Sequence, residues 1–322
     1  MSSDSFDALT ENVSMTLQQL HYLVALDDHR HFVRAASACF VSQPTLTMQL
    51  RKLEEELDVV LFDRSTHPVR PTEMGVRMVA QARIVLREAE QFRSLVDELH
   101  AGFNGTYRIG VIHTLAPYLL PLFLPRFAGT HPDVRLVIDE RKTSRILKGL
   151  RRGDLDLGIV VTPIDAPDIE EIPLFQEPFL AYLPPGHALR QRTLLKRSDL
   201  REQAIWVLAE GHCFREQTLS LCDRPSAAGH ENVVYESGSI ETLKQLVHHG
   251  SGMTLVPELS VTGNDPYVRH FVAPEPVRQV SLVVRRPYVR RRLLEELANA
   301  IRAVVPIHMT ATSRIPVTGP QL

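Results

Sequence analysis

From Thr16 to about Phe62 apolar residues return every three or four positions, the period of helices that bury one face. Three segments carry the pattern: LQQLHYLVALDDH, HFVRAASACF and VSQPTLTMQLRKLEEELDVVLF. The third opens with Ser42 as N-cap and Pro44 in its first turn, where a missing amide costs nothing. Leu46, Leu50, Leu53 and Leu57 then share one face, while Thr45, Met48, Arg51 and Lys52 turn outward. Two helices joined by a tight turn and packed through Ala35, Ala36 and Ala38 predict a helix-turn-helix. A short wing follows in DRSTHPVRPT, carrying Arg64 and Arg70.

Thr72 caps a longer helix. Met78, Ala82, Val85, Ala89, Phe92, Val96 and Leu99 step by four and three, a heptad seam that wants a partner. The partner is either the chain's own core or, for a projecting helix, a second copy. HAGFNG ends this helix, and strand-like and helix-like runs alternate beyond it, which means an α/β architecture. A Pro-rich break around EPFLAYLPPGH suggests two small lobes with a cleft between them. The expected boundaries are a tail over 1–14, a winged helix-turn-helix over 15–72, a linker helix over 73–103, a two-lobed domain over 104–306 and a tail over 307–322.

Composition narrows the function. The chain has 322 residues, 44% of them hydrophobic, enough for more than one core. The opening MSSDSFDALTENVS lacks a basic and apolar leader, and no apolar run is long enough to span a bilayer, so a cytoplasmic protein without a membrane partner is expected. Formal net charge is -2. Between Met15 and Thr72, Arg30, Arg34, Arg51, Lys52, Arg64 and Arg70 are outweighed by Asp27, Asp28, Glu54, Glu55, Glu56, Asp58 and Asp63, so charge alone gives no nucleic-acid footprint.

GHCFREQTLSLC holds two of the three cysteines. They are two inert core residues, half a metal site or a switch. A zinc site would need two more soft ligands and none is near, so neither metal nor cofactor is expected; Cys39, among small residues, reads as core. On a helix, Cys213 and Cys222 would be about 13 Å apart along the axis, whereas a bridge needs Cα atoms within about 7 Å. Joining them would mean undoing that helix. Cys213, at the expected start of the helix and near Arg215, is the better nucleophile.

AASACFVSQPTLTMQLRKLEEEL followed by FDR, the long helix and GSGMTLVPEL together resemble the LysR-type transcriptional regulators, from about Met15 to Pro306. HRHFVRAASACFVSQPTL, GVIHTLAPYLLP, IPLFQEPFLA and GHCFREQTLSLC are similar to landmarks of the peroxide-sensing members. The resemblance implies an α+β multidomain chain: an N-terminal winged helix-turn-helix with a long linker helix, then a two-lobed α/β, periplasmic-binding-protein-like regulatory domain. It implies a non-enzymatic DNA-binding activator, a dimer of dimers, whose partners are double-stranded promoter DNA, hydrogen peroxide and RNA polymerase. DNA contacts would come from Ser42, Gln43, Pro44, Thr45, Thr47, Met48, Arg51, Lys52, Arg64 and Arg70. Cys213 would be oxidised first and Cys222 would resolve it in a reversible disulfide, with Thr114, Thr143, His212 and Arg285 forming the peroxide pocket. Two rivals remain: a regulator sensing a small molecule in the interlobe cleft with incidental cysteines, and a two-cysteine peroxidase, which would want a CxxC or thioredoxin-like unit the sequence lacks.

Overall fold

The computed structural model describes residues 15–100, 104–201, 203–222, 226–227, 238–250 and 252–310; the side chains of Gln91, of residues 93–100 and of residues 226–227 lie outside that description. The chain divides into two compact units, Met1–Asp97 and Glu98–Leu322.

In the first unit, helix α1 (Leu17–His29) starts at a capping box: Thr16 Oγ1 accepts from the Gln19 amide at 3.2 Å and Gln19 Oε1 from the Thr16 amide at 2.8 Å. Helix α2 (Phe32–Ala38) turns into α3 (Gln43–Glu56), whose N-cap Ser42 accepts from the Thr45 amide. Leu46, Leu50 and Leu53 pack on Leu20, Leu23, Leu26, Ala35 and Ala36. The buried stripe ends there, because Leu57 is already the C-cap and only half-buried. Strands β1 (Phe62–Asp63) and β2 (Arg70–Pro71) pair antiparallel as the wing. Thr72 caps α4 (Glu73–His100), accepting from the Gly75 amide at 2.9 Å and donating to the Val60 carbonyl at 2.7 Å. The first half of the heptad seam is committed within the unit: Ala82 is buried in its core, and Met78 and Val85 pack against it. Ala89 is half-buried and Phe92 exposed, whereas the Val96 and Leu99 side chains lie outside the described residues.

The second unit begins β3 (Gly105–Val111), α5 (Ala116–Thr130), β4 (Val134–Glu140), α6 (Thr143–Arg152), β5 (Leu157–Thr162), with three parallel strands. Strand β6 (Ile169–Tyr182) follows, then β7 (Leu194–Leu195), β8 (Ala204–Trp206), α7 (Cys213–Leu221), β9 (Ser226–Ala227) and α8 (Ile240–His248). The chain continues through β10 (Met253–Pro257), β11 (Val268–Phe271), β12 (Val277–Arg285), α9 (Arg291–Arg302) and α10 (Ile307–Thr310). The sheet order is β4-β3-β5-β12-β6-β10-β8-β9, with β11 joining β6 to β7.

Of the Pro-rich stretch EPFLAYLPPGH expected to break the chain, Glu177–Tyr182 instead continue β6, the longest strand among the described residues, which ends only at Tyr182 ahead of Pro184 and Pro185. In β6, Pro173 and Phe175 face consecutive residues of β12, Ser281 and Val280, so Leu174 is the extra residue of a bulge that accommodates the proline. The strand pairs with β12 along its first part and with β10 beyond Pro178. It thus runs from one hydrophobic core, holding Leu174 and Phe175, into a second, holding Phe179 to Leu183. These cores define lobe I and lobe II. The expected C-terminal tail also needs correction at its start, since α10 is folded and Met309 is buried in the core of lobe I. The NVVYES strand reading and the start of the second tail's remainder at Ala311 lie outside the described residues.

Candidate functional site

Helix α7 carries the cysteine pair. Gly211, at φ +81°, makes the left-handed turn that leads into it, and a Cβ there would press on the Lys142 side chain at 3.0 Å. His212 is its N-cap residue, Cys213 its first and Cys222 its C-cap. None of the cysteines is in a disulfide. Cys213 is 8% exposed and belongs to the core of lobe I, whereas Cys222 is 2% exposed and belongs to that of lobe II. The helix holds its two ends in different cores.

Cys213 opens onto a cavity of about 10 Å³, the space of a single water-sized molecule. Ile112, His113, Thr114, Lys142, Thr143 and His212 line it with the cysteine. Three of the expected pocket residues, Thr114, Thr143 and His212, are therefore brought together. Thr143 is the first residue of α6 and not its N-cap, which is Lys142. Its buried hydroxyl makes no well-formed hydrogen bond, yet lies where it favours the Cys213 thiolate. Lys142 reaches across to the Glu210 carbonyl at 2.9 Å. The rings of His113 and His212 meet edge to face, 5.5 Å between centroids.

Arg285 is not part of this pocket. It ends β12 opposite Ile169 and lies in the field of Asp168. The arginine at the site is Arg278, seven residues earlier and about 23 Å back along an extended strand. Arg278 and Glu177 are both fully buried. The Arg278 Nε donates to Glu177 Oε2 at 2.8 Å, Nη1 to the Thr114 hydroxyl at 3.0 Å and Nη2 to the Thr114 carbonyl at 3.1 Å. Its guanidinium also lies 5.2 Å from the centre of the Phe214 ring. Sequence reasoning missed both charged residues. The available signal was a charge inside an otherwise apolar strand, VRQVSLVV for Arg278 and LFQEPFLAY for Glu177, since buried charges are kept only when paired.

Electrostatics at the sulfur oppose one another. Burial pushes the Cys213 thiol up, against the downward pull of Arg278, Thr143 and the amides of Phe214 and Cys213. Helix position therefore does not make Cys213 an ordinary low-pKa thiol, as its sequence context suggested. His212 is pushed down by burial and by the charges of Lys142 and His113, which favours the neutral imidazole. Burial pushes Glu177 up, opposed by Arg278 and the Leu259 amide. A separate open groove of about 700 Å³, among Tyr118, Leu122, Val268 and Arg269, shares no lining residue with the thiol pocket.

On the helix-turn-helix, Ser42, Gln43, Pro44, Met48, Arg51 and Lys52 are exposed, and Thr45 and Thr47 half-exposed. Arg64 forms an ion pair with Glu54 and lies over the Phe32 ring, and Arg70 stands opposite Asp63 in the wing. Among the described residues no group of histidine, cysteine or acidic side chains could hold a metal, and no helix is long and apolar enough to cross a membrane.

Residues 17–76 match the bacterial regulatory helix-turn-helix protein, lysR family, and residues 100–306 match the LysR substrate binding domain. A hydrogen peroxide-inducible genes activator of Dickeya chrysanthemi is 37% identical over 305 residues, covering 93% of this chain and 99% of that protein. The DNA-binding transcriptional dual regulator OxyR of Escherichia coli is 38% identical over 298 residues, 91% and 97% of the two chains. Among solved structures, a full-length OxyR cysteine-to-aspartate variant from Pseudomonas aeruginosa superposes with a TM-score of 0.76 at 34% identity, covering 94% of this chain and all of that one. A hydrogen-peroxide-bound OxyR cysteine-to-serine variant from Corynebacterium glutamicum superposes with a TM-score of 0.60 at 31% identity, covering 91% and 94%. With both halves matched and the curated relatives aligned over nearly their full length, the chain belongs to the LysR family of transcriptional regulators, in its OxyR branch.

Proposed function

We propose that this chain is a hydrogen-peroxide-sensing transcriptional regulator, switched by a reversible disulfide between Cys213 and Cys222. The observation that carries the reading is the Cys213 thiol facing a cavity of one small molecule's size, lined by Thr114, Thr143 and His212 and backed by Arg278. In the first step the Cys213 thiolate attacks one peroxide oxygen; the S–O bond forms, the O–O bond breaks, and the departing hydroxide takes up the proton the thiol gave up, leaving as water. The charge of Arg278 favours the thiolate, and the hydroxyls and the neutral imidazole of His212 orient the oxidant. In the second step the Cys222 sulfur attacks the sulfenic acid, the S–S bond forms and a second water leaves. Cellular thiols then reduce the bridge.

On the same reading, residues 15–72 bind promoter DNA through Ser42 to Thr45, Thr47, Met48, Arg51, Lys52 and the wing, and 73–103 form the dimerisation helix. The regulatory unit then alters RNA polymerase recruitment from a cytoplasmic homotetramer. The test is peptide mapping after thiol alkylation, before and after one equivalent of hydrogen peroxide. A linked Cys213–Cys222 peptide is expected. Two alkylatable thiols after treatment would reject the reading and turn attention to a small-molecule effector.

A further inference from the structure

The most exposed large apolar side chain among the described residues is Phe40, at 96%. It sits in the turn between α2 and α3 with φ +55°, a left-handed backbone that suits glycine or asparagine and is disfavoured for a bulky residue. The turn is tied down on both sides: the Phe40 amide donates to the Ser37 carbonyl at 3.2 Å and the Val41 amide to the Ala36 carbonyl at 3.0 Å. An aromatic ring held outside the unit's core, on a backbone another residue would adopt more easily, points to function. Met48, on the outward face of α3, is 59% exposed, with Pro44 and Lys52 one turn away on either side. Two large apolar groups therefore stand on or beside the helix expected to meet DNA.

The basic side chains of the unit are partly spent elsewhere. Arg30 pairs with Asp27 at 2.6 Å, Arg64 with Glu54, and Arg83 with Asp27 and Asp28. Phosphate attraction, the usual source of sequence-independent affinity, is correspondingly thin. The one apolar feature a major groove offers is the C5-methyl of thymine.

We infer that Phe40 and Met48 read sequence by packing on thymine methyl groups in the major groove. This rests on the reading of α3 as the helix that enters that groove, and the experiment separates the two. Full-length protein selects its site from a pool of random duplexes, and each thymine of the recovered site is then replaced by deoxyuridine, which removes only the methyl. Binding is followed by fluorescence anisotropy. At one or more thymines the replacement is expected to weaken the native chain about fourfold, the value of burying one methyl-sized group. At those positions Phe40→Asn or Met48→Ala should bind thymine and uracil duplexes alike. Asn is chosen because it tolerates the turn's backbone, so an unchanged thermal melt separates lost contact from lost fold.

Equal uracil sensitivity in the native chain and both variants, or none in any of them, overturns the inference. Arg51→Ala is the control for the helix itself. If it weakens binding while Phe40→Asn and Met48→Ala behave as the native chain, the methyl-reading role fails and α3 keeps its place. If Arg51→Ala is neutral as well, α3 is not the reading helix. Loss of transcription with full DNA binding in Phe40→Asn would assign the ring to a protein partner and also overturn the inference.

Discussion

Replacing Arg278 tests whether the buried cation is there for the sulfur or for the fold. Arg278 and Glu177 are fully buried, and the arginine spends its donors on Glu177 and both oxygens of Thr114. Arg278→Gln leaves Glu177 buried with one amide donor, that of Leu259 at 2.9 Å. Stranding one member of a buried ion pair costs about 3–5 kcal/mol, whereas replacing both by neutral groups of similar volume is often close to neutral. Unfolding in urea followed by the single tryptophan, Trp206 in β8, reports on the unit that holds the pair. The single variant should lose about 3–5 kcal/mol, and Arg278→Met with Glu177→Gln should recover most of it. The rate of Cys213 oxidation by peroxide should behave differently. Removing the cation leaves only the weaker aids to the thiolate, and each unit by which the thiol rises costs about tenfold in thiolate at neutral pH. Both variants should therefore oxidise more slowly than the native chain, by about tenfold for each unit that the thiol rises. A double variant that is stable and oxidises at the native rate would refute the electrostatic role; a stable single variant would refute the buried pair.

Further tests follow from the same geometry. Because burial holds the Cys213 thiol high, its oxidation rate should climb about tenfold per pH unit from pH 6 to 8, as stopped-flow mixing with peroxide would show; a flat profile would mean the thiolate is already formed. His212 has a lowered pKa, so the unfolded chain binds its proton first; the stability it contributes is present above about pH 6.5 and is lost as pH falls below that value, a loss His212→Gln should remove from a urea-midpoint series. Phe214→Ala, which removes a buried ring stacked 5.1 Å from Phe179 and under the Arg278 guanidinium, should cost about 3–5 kcal/mol on the Trp206 signal. Thr72→Ala takes away the N-cap of α4 and should cost about 1 kcal/mol in the first unit, read by circular dichroism.

The sequence was most legible where local chemistry decides structure. Ser42 and Pro44 mark the start of α3, and the leucine steps mark its buried face, because capping and periodicity act within a few residues. The cysteine spacing likewise exposed the conflict between helix and bridge. It was least legible where a residue's meaning depends on distant partners. Pro178 read as part of a break because the strand that holds it, β6, is secured by pairing with β12, far along the chain. Arg285 and Arg278 lie on the same strand, and only the pairing of β12 with β6 puts Arg278 against Glu177 and Thr114. The Cys213 thiol, judged by its helix position, was expected to ionise easily, but it sits in the core of lobe I and desolvation wins.

On the proposed reading, the division of the two cysteines between cores would let one small oxidation be felt by a whole lobe. Cys222 and its neighbours Leu221 and Phe214 are buried in lobe II, and Cys213 alone of the helix belongs to the core of lobe I. A bridge shortens a separation of about 13 Å to less than 7 Å, so at least one cysteine must leave its core and the helix between them must open. Withdrawing one or two large apolar side chains costs about 2–5 kcal/mol. By the two-electron relation of about 30 mV per 1.4 kcal/mol, that raises the potential of the bridge by about 40–110 mV over an unstrained one. The same displacement reaches the lobe contacts, because Phe214 lies under Arg278, and Arg278 holds Thr114 of lobe I to Glu177, at the point where β6 passes from one core to the other. Another tie, from the Tyr118 hydroxyl on α5 to Glu241 on α8 at 2.9 Å, crosses the lobes without touching α7. On the proposed reading, oxidation would loosen the Arg278 tie, whereas the Tyr118–Glu241 tie, which makes no use of α7, would stay made.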